Sequence, residues 1–315
     1  MDIKNIQEIL SLYFSEPKQV LNFSTIEYGL ENEHYKITID HSESYFVKFY
    51  RYRTEPMVST ELHLATMLKE LGLFTPQIIT TLSGHLYTKY QGRYLALFEF
   101  IEGSHPQPTY NNLIKIGQAI GQIHQCKPNI TLNAYQPSPE DLFHTIQTLP
   151  SLEPSLANFF NSAILVTKNI PFDKLPHSLT HGDIFLDNLI ETTDNKLYII
   201  DFEEASFNNC LFDLSRAIIG CCTTKQKMVD IMLCKALLKG YSMQCSLTST
   251  EKEYLYEYLI YAGLLSTFWR YEEFNIKRLH EGKNQIYKEW MLPTIQLIKM
   301  GKDHSEFSGV FSIFA

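Results

Sequence analysis

Three polar residues near the middle of the chain, Asp183, Asn188 and Asp201, have types and a spacing suited to chemistry. From residue 181 the sequence reads His-Gly-Asp-Ile-Phe-Leu-Asp-Asn, and a later apolar run ends in Asp-Phe-Glu at 201–203. Asn188 and Asp201 offer the hard oxygen atoms that Mg²⁺ prefers. Asp183 can accept a hydrogen bond from an attacking hydroxyl group. Phosphoryl transfer needs mainly such positioning and charge neutralisation, so this chemistry fits the three residues.

A hairpin is the element expected to position these residues. Leu189-Ile190 and residues 197–200 predict two short strands, with a polar turn at 192–195. A hairpin returns the chain on itself, so Asn188 at one root and Asp201 at the other are expected to meet across one metal ion. In the alternative interpretation Asp183 caps a turn and Asn188 merely begins a strand. The complete string is more specific than that alternative.

An upstream strand at residues 45–50 carries one lysine, Lys48, among apolar and aromatic residues. A lysine on a strand beneath a nucleotide pairs with the α- and β-phosphates in kinases, and Lys48 is predicted to do the same. Because side chains on a half-buried strand point alternately to the core and to solvent, Lys48 could also be an ordinary solvent-facing lysine. The downstream string favours the phosphate-binding role.

Residues 56–71 predict a helix that ends at Gly72, because apolar residues recur at helical spacing and glycine commonly follows a helix. Glu61 lies inside this helix and is the predicted partner that orients Lys48. Glu55 and Glu70 are the competing candidates for that role.

Two further segments are candidates for nucleotide contact. The turn that contains Gly29 lies between two strand-like runs, but it lacks a Gly-x-Gly-x-x-Gly string, so a plain hairpin explains it almost equally well. Residues 94–101 predict an apolar strand that leads to a hinge. Backbone groups of Glu99, Phe100 and Ile101 are predicted to bind the adenine edge, although an ordinary buried strand has the same composition.

The chain resembles the aminoglycoside phosphotransferase and choline kinase superfamily, and it is most similar to the bacterial homoserine kinase type within it. The resemblance covers nearly the whole chain. The matching motifs, besides the strand with Lys48, are GLENEHY at 29–35, ALFEFIEG at 96–103, IGQAIGQIH at 116–124, HGDIFLDN at 181–188, FDL at 212–214, LLKGY at 237–241 and STFWR at 266–270.

The resemblance implies an α+β, bilobal, protein-kinase-like fold. An N-terminal nucleotide-binding lobe of residues 1–103, with an antiparallel sheet and a helix, would precede a mainly helical catalytic and substrate-binding lobe of residues 104–315. It also implies an ATP- and Mg²⁺-dependent kinase that phosphorylates a small-molecule hydroxyl, with Asp183 as base and Asn188 and Asp201 as metal ligands.

The acceptor is the open part of this interpretation. Asp187 before Asn188 and the Phe-Trp-Arg segment favour a homoserine-like acceptor. Gly182 stands where homoserine kinases often have alanine, and Glu203-Glu204 departs from their usual aromatic stretch. Choline, ethanolamine and aminoglycoside acceptors therefore remain alternatives, as does a nucleotide-binding pseudokinase or regulatory module.

An amino-acid alcohol needs a cation for its carboxylate and acids for its ammonium group. Arg270 beside Trp269 is the candidate cation, and Asp187, Glu203 and Glu204 are the candidate acids. Arg270 has an alternative as a surface ion pair with Glu272 or Glu273. For a choline-like acceptor, Trp269 with Tyr261 or Tyr271 would instead form a cation-π wall.

Composition narrows the class of protein. The formal net charge of -8 argues against general nucleic-acid binding, which needs a basic surface. Six cysteines show neither metal-ligand spacing nor a secreted disulfide pattern. No apolar run reaches membrane-spanning length and the N-terminus is not a basic signal sequence, so a cytoplasmic enzyme is expected. His124 is expected to be a hydrogen-bonded core residue, and His181 to brace the catalytic loop.

Overall fold

The structure is a computed structural model that describes residues 2–27, 29, 31–39, 43–132, 138–149 and 152–301. The described chain forms two compact units. The first contains the described residues up to Ser104 together with 128–131 and 190–203, and the second contains those of 105–127, 132–189 and 204–301. The sequence predicted one division after residue 103, whereas 190–203 also belong to the first unit.

The first unit is built on an antiparallel sheet. Its strands are β1 (Asn22–Ile26), β2 (Glu33–Thr38), β3 (Ser44–Phe49), β4 (Ile78–Ile79), β5 (Thr88–Tyr90) and β6 (Arg93–Glu99). The sheet order is β1-β2-β3-β6-β4, and β5 pairs with β6. The predicted strands at 45–50 and 94–101 are both present, although β6 ends two residues early, at Glu99.

Alternation along β3 separates the core from the candidate site. Val47 and Phe49 are fully buried in a cluster with Leu95, Leu97 and the apolar side of helix α1 (Ile3–Ser11). Burying each such side chain contributes about 1.5–3 kcal/mol. Neighbouring residues on a strand point to opposite faces, so Lys48 projects away from this cluster.

Helix α2 (Glu55–Glu70) follows β3 and matches the predicted helix to within one residue at each end. Val58, Leu62, Ala65 and Leu68 are buried along one side, as their spacing predicts. Gly72 follows with a φ of +93°, a conformation that glycine adopts without a steric penalty. The helix brings Glu61 to a buried position facing Lys48.

The predicted hairpin is also present. Strands β8 (Leu189–Glu191) and β9 (Leu197–Ile199) pair with each other, and the turn between them has Asn195 at a φ of +63°. Such left-handed backbone is tolerated best by Gly, Asn and Asp. Asp201 follows β9 with a φ of +66°. The predicted metal ligand is thus an aspartate in a left-handed backbone conformation that this residue type tolerates.

Helices make up most of the second unit. They are α3 (Tyr110–Gln125), α4 (Pro139–Gln147), α5 (Pro154–Thr167), α6 (Cys210–Cys221), α7 (Ile231–Ser242), α8 (Ser249–Tyr271) and α9 (Lys288–Met300). A short ladder of β7 (His177–Thr180) and β10 (Ser206–Asn209) accompanies them. With an antiparallel sheet in its N-terminal region and helices in its C-terminal region, the chain has the predicted α+β class.

Close contact between α3 and α7 depends on glycine. A Cβ atom on Gly117 would lie 2.0 Å from Leu237 O, and one on Gly240 would lie 2.0 Å from Ile114 O. Both distances are far below van der Waals contact, so the two backbones can approach only at glycine. The close approach of α3 to α7 therefore requires glycine at positions 117 and 240.

Candidate active site

In the first unit, Lys48 lies at the centre of three carboxylates. Its Nζ atom is 2.9 Å from Glu61 Oε1, 2.9 Å from Asp201 Oδ1 and 2.7 Å from Glu203 Oε1. Lys48 is only 3% exposed, which excludes a solvent-facing lysine. Burial alone would lower the pKa of Lys48, but the three carboxylates raise it well above its usual value.

Glu61 forms the ion pair with Lys48 that the sequence predicted. Burial raises the pKa of Glu61 to about 7, and Glu203 and Asp201 add to this rise while Lys48 opposes it. The competing candidate Glu55 has other partners, because it accepts hydrogen bonds from Tyr87 and Tyr94. The helix thus supplies Lys48 with a partner at a buried position, where ion pairing orients the ammonium group strongly.

Glu203 has a different environment from the one predicted. One carboxylate oxygen contacts Lys48 and accepts a hydrogen bond from Asn32, and the other lies 3.1 Å from Arg53 Nη2. The side chains of Glu203 and Arg53 are only 6% and 7% exposed. The Glu203 carboxylate is therefore buried, with partners at both oxygens within the first unit, and its role as a ligand of a substrate ammonium group stays a prediction.

Sequence reasoning missed Arg53. It lies two residues before α2, in the segment Arg-Tyr-Arg, and nothing in that short pattern distinguishes it from an exposed basic residue. The role of Arg53 is visible only in the tertiary structure, where residues 190–203 belong to the first unit and the second oxygen of Glu203 contacts Arg53.

In the second unit, both carboxylate oxygens of Asp183 have partners. Oδ2 accepts a hydrogen bond of 2.7 Å from Asn188 Nδ2, and Oδ1 lies 2.7 Å from Arg216 Nη2. The Asp183 side chain remains 28% exposed. A carboxylate held from two directions and still accessible has the geometry of an oriented base.

Arg216 was also missed, because its partner Asp183 is 33 residues away in the sequence. It lies on α6 and its side chain is only 8% exposed. The guanidinium packs over the rings of Phe185 and Trp290, at 5.0 and 6.0 Å from their centroids. These contacts restrict the rotation of Arg216, so its hydrogen bond fixes the direction of the Asp183 carboxylate.

The loop before Asp183 is held by a buried aspartate, Asp213. Its two oxygens accept the backbone N–H groups of His181 and Gly182, each at 2.7 Å. His124 contacts the same carboxylate at 3.3 Å and its other ring nitrogen contacts Tyr241. The expectation that His124 is a hydrogen-bonded core residue is confirmed.

Gly182 has a local reason to be glycine. Its φ is +83°, and a Cβ atom at this position would lie 2.4 Å from the backbone oxygen of Glu204. Alanine would meet both a backbone penalty and a steric clash. The close approach of residue 204 to this position therefore explains why residue 182 is glycine.

Oxygen donors suited to Mg²⁺ are present in each unit. Asn188 uses its Nδ2 atom for Asp183, so its Oδ1 atom is the one suited to a metal. In the first unit, carboxylate oxygens of Glu61, Asp201 and Glu203 lie within 4.8 Å of one another, and the Asp201 side chain is 33% exposed. Hard oxygen ligands of this type fit Mg²⁺. The metal roles of Asn188 and Asp201 stay predictions.

The predicted adenine-binding segment has only some of its backbone donors available. The N–H of Glu99 donates to Gln77 O at 2.8 Å, and that of Phe100 donates to Ser44 O at 3.2 Å. For Ile101 the described residues show no backbone acceptor of this kind. If this segment binds adenine, Ile101 is the residue best suited to donate the hydrogen bond.

Gly29, Asp187, Trp269 and Arg270 complete the predicted set. Gly29 has a φ of +81°, as a turn glycine requires. Asp187 is exposed in a single turn of 3₁₀ helix, and its substrate role stays a prediction. Trp269 and Arg270 end α8. The alternative ion pair for Arg270 is wrong, because Glu272 and Glu273 pair instead with Lys277 and the described residues show no carboxylate bound to Arg270.

Within the described residues, no helix combines the length and the apolar character needed to cross a membrane.

Comparison with known proteins identifies matches in sequence and in fold. The phosphotransferase enzyme family matches residues 22–243. Homoserine kinase of Parvibaculum lavamentivorans is 26% identical over 242 residues, which cover 74% of each chain.

Two solved structures share the fold. A microcompartment-associated aminopropanol kinase superposes with a TM-score of 0.72 at 15% identity, covering 97% of this chain and 99% of its own. The amicoumacin kinase hAmiN, solved in complex with AMP-PNP, Ca²⁺ and Ami, gives a TM-score of 0.69 at 13% identity and 93% coverage of each chain.

Proposed function

Because the chain belongs to the phosphotransferase enzyme family, we propose that it is a kinase that transfers the γ-phosphoryl group of ATP, with Mg²⁺, to a hydroxyl group of a small molecule. The observation that carries this proposal is the Asp183 carboxylate, which Asn188 and Arg216 hold from two sides at 2.7 Å while it remains accessible. A hydroxyl group is the natural partner of such a base.

In the proposed reaction, Asp183 accepts the hydroxyl proton of the acceptor as the acceptor oxygen forms a bond to the γ-phosphorus. The bond between that phosphorus and the β–γ bridging oxygen breaks, and ADP leaves with the electron pair. Arg216 and Asn188 keep the carboxylate in one orientation throughout, which reduces the entropy lost in reaching the transition state. Their contribution is positional.

Nucleotide binding is assigned to the first unit. Lys48, oriented by Glu61, would contact the phosphates, and Glu99 to Ile101 would bind the adenine edge, with Gly29 in the phosphate-covering turn. Asn188 and Asp201 would hold Mg²⁺, which when bound neutralises charge on the phosphate oxygens. The carboxylates around Lys48 support a bound cation, because Lys48 and Arg53 together carry two positive charges against the three carboxylates of Glu61, Asp201 and Glu203.

For the acceptor, we propose a homoserine-like amino-acid alcohol. The similarity to a homoserine kinase over three quarters of the chain supports this choice. Choline, ethanolamine and aminoglycoside acceptors are the alternatives, because the fold is shared by kinases with several acceptors.

An ATP-consumption screen tests the proposal. The purified protein is incubated with Mg²⁺-ATP and, separately, homoserine, choline, ethanolamine and an aminoglycoside. We expect homoserine to be consumed selectively. In Asp183→Asn the turnover number should fall roughly 10²- to 10⁴-fold, while ATP affinity measured by calorimetry changes little.

The matched control is Asp173→Asn, an exposed acid in the same unit. It should keep wild-type turnover. Undiminished turnover in Asp183→Asn would reject Asp183 as the base. No turnover with any acceptor would instead support a nucleotide-binding regulatory module.

A further inference from the structure

Arg270 is unusual among the arginines of this chain. Each of the other five, at positions 51, 53, 93, 216 and 278, has a carboxylate oxygen within 3.6 Å. Among the described residues no carboxylate pairs with Arg270. Its one hydrogen bond runs from Nη1 to Ser266 O at 3.4 Å, and its buried Nε atom has no acceptor.

A half-buried guanidinium without a counter-ion is costly, because part of the water that would solvate the charge has been removed and no carboxylate of the described residues replaces it. Burial, together with the nearby cation of Arg216, lowers the pKa of Arg270 to about 10. The carboxylates of Asp183, Glu204 and Glu289 raise the pKa of Arg270, but they act from a distance and form no ion pair with it. The second unit therefore maintains a cation whose hydrogen-bonding capacity its own side chains do not satisfy.

Two tryptophans fix the orientation of this cation. The Arg270 guanidinium carbon lies 4.7 Å from the ring centroid of Trp290 and 5.6 Å from that of Trp269. Stacking of this kind engages the faces of the guanidinium and leaves the N–H groups at its edge for hydrogen bonding. Stacking and the position near the end of α8 contribute stability, but neither satisfies Nε.

Trp290 lies between Arg270 and Arg216, the arginine that holds the predicted base Asp183. Trp290 packs against Arg270 on one side, and Arg216, which contacts Asp183, lies 6.0 Å from its ring centroid. A hydroxyl group placed at Asp183 and an anion placed at Arg270 would thus be separated by little more than one aromatic side chain. This separation suits a short molecule with both groups.

We propose that Arg270 binds the carboxylate of the acceptor through the terminal N–H groups of its guanidinium, so that the enzyme selects hydroxy amino acids over amino alcohols. The inference rests on the proposed kinase function and names the group that the site recognises. A planar guanidinium can bind a carboxylate with two parallel hydrogen bonds. A quaternary ammonium acceptor is disfavoured, because Arg270 already occupies positions over both tryptophan rings.

The test compares L-homoserine with 3-aminopropan-1-ol, which has the same hydroxyl and amine groups but no carboxylate. Binding of each is measured by calorimetry without ATP, and kcat/KM is measured with Mg²⁺-ATP. Wild-type protein should prefer L-homoserine by roughly 10- to 100-fold, the range expected for hydrogen bonds to a charged group. Arg270→Leu should lose most of this preference, and Arg270→Lys should retain part of it.

The informative quantity is the ratio of kcat/KM for L-homoserine to kcat/KM for 3-aminopropan-1-ol, because a general loss of activity lowers both values equally. Arg278→Leu is the matched control. Arg278 packs over Phe274 near the same end of α8 but is paired with Glu281 and Glu273. Its replacement should lower stability and leave the acceptor ratio unchanged.

The outcomes separate the two proposals. A wild-type preference that survives in Arg270→Leu, or the absence of a wild-type preference, overturns the role of Arg270. Turnover of 3-aminopropan-1-ol or choline as efficient as that of homoserine also overturns it, while the kinase function stands. Homoserine binding that depends on Arg270 without any ATP consumption supports the carboxylate site and rejects the kinase. If Arg270→Leu does not fold, the wild-type ratio and Arg270→Lys decide the question.

Discussion

We expect alkaline pH to lower the stability of the folded protein, because His124 of the second unit loses a proton. The His124 and Asp213 side chains are 2% and 0% exposed, with 3.3 Å between Nε2 and Oδ2. Burial alone would lower the pKa of His124, but hydrogen bonds to Asp213 and Cys210 raise it to about 9 from an ordinary 6.5. Protonated His124 therefore stabilises the folded state.

The difference between the pKa of His124 in the folded protein and its ordinary value sets the sign and size of the change in stability with pH. Below pH 6.5 the histidine is protonated in both folded and unfolded chains, so the stabilisation is complete. As pH rises through about 9, the folded protein loses the proton and the stabilisation disappears. Each pKa unit corresponds to 1.36 kcal/mol, so the free energy of unfolding should fall by about 3 kcal/mol between pH 6.5 and 9.5.

Urea unfolding at pH 6.5, 8 and 9.5, followed by circular dichroism, measures this loss. His124→Asn should be less stable at pH 6.5 and should lack this part of the pH dependence. His63→Asn is the control, since His63 is an exposed residue of α2 whose partners are Ser59 atoms, and it should keep the wild-type slope. An equal slope in wild type and His124→Asn would refute the reasoning.

Three further predictions concern the candidate site. Asp201→Ala should weaken Mg²⁺-nucleotide binding, measured by calorimetry, and equal nucleotide affinity with and without Mg²⁺ in both proteins would contradict a metal role. Gly182→Ala should lower the free energy of unfolding by about 2–4 kcal/mol, measured in urea, and should also lower turnover. The control Gly84→Ala has a similar φ of +81° but no atom within 4 Å of the added Cβ, so it should cost only about 1 kcal/mol. Equal costs for the two variants would rule out the clash at Gly182. Arg53→Gln should lower stability by about 3 kcal/mol, because it leaves half of the buried Glu203 carboxylate unpaired, and a change below 0.5 kcal/mol would show that the pair is dispensable.

Local patterns sufficed for the elements that carry the site. Apolar residues at helical spacing predicted α2 to within one residue, and two apolar runs around a polar turn predicted the β8–β9 hairpin. The pair of Lys48 and Glu61 was predicted as well, since a strand lysine and a helix glutamate are a familiar combination in kinases. Such features depend on neighbours in sequence or on one recurring contact.

The sequence by itself determined the reaction class and the residue types that serve it, because the string from His181 to Glu203 encodes donor atoms at fixed spacing. Only the tertiary structure decided which other groups meet those residues. It places Glu203 against Lys48 and Arg53 and places Arg216 against Asp183, and within the described residues it pairs no carboxylate with Arg270. Pairings between residues far apart in the chain depend on how helices and strands pack, and no local pattern records that packing.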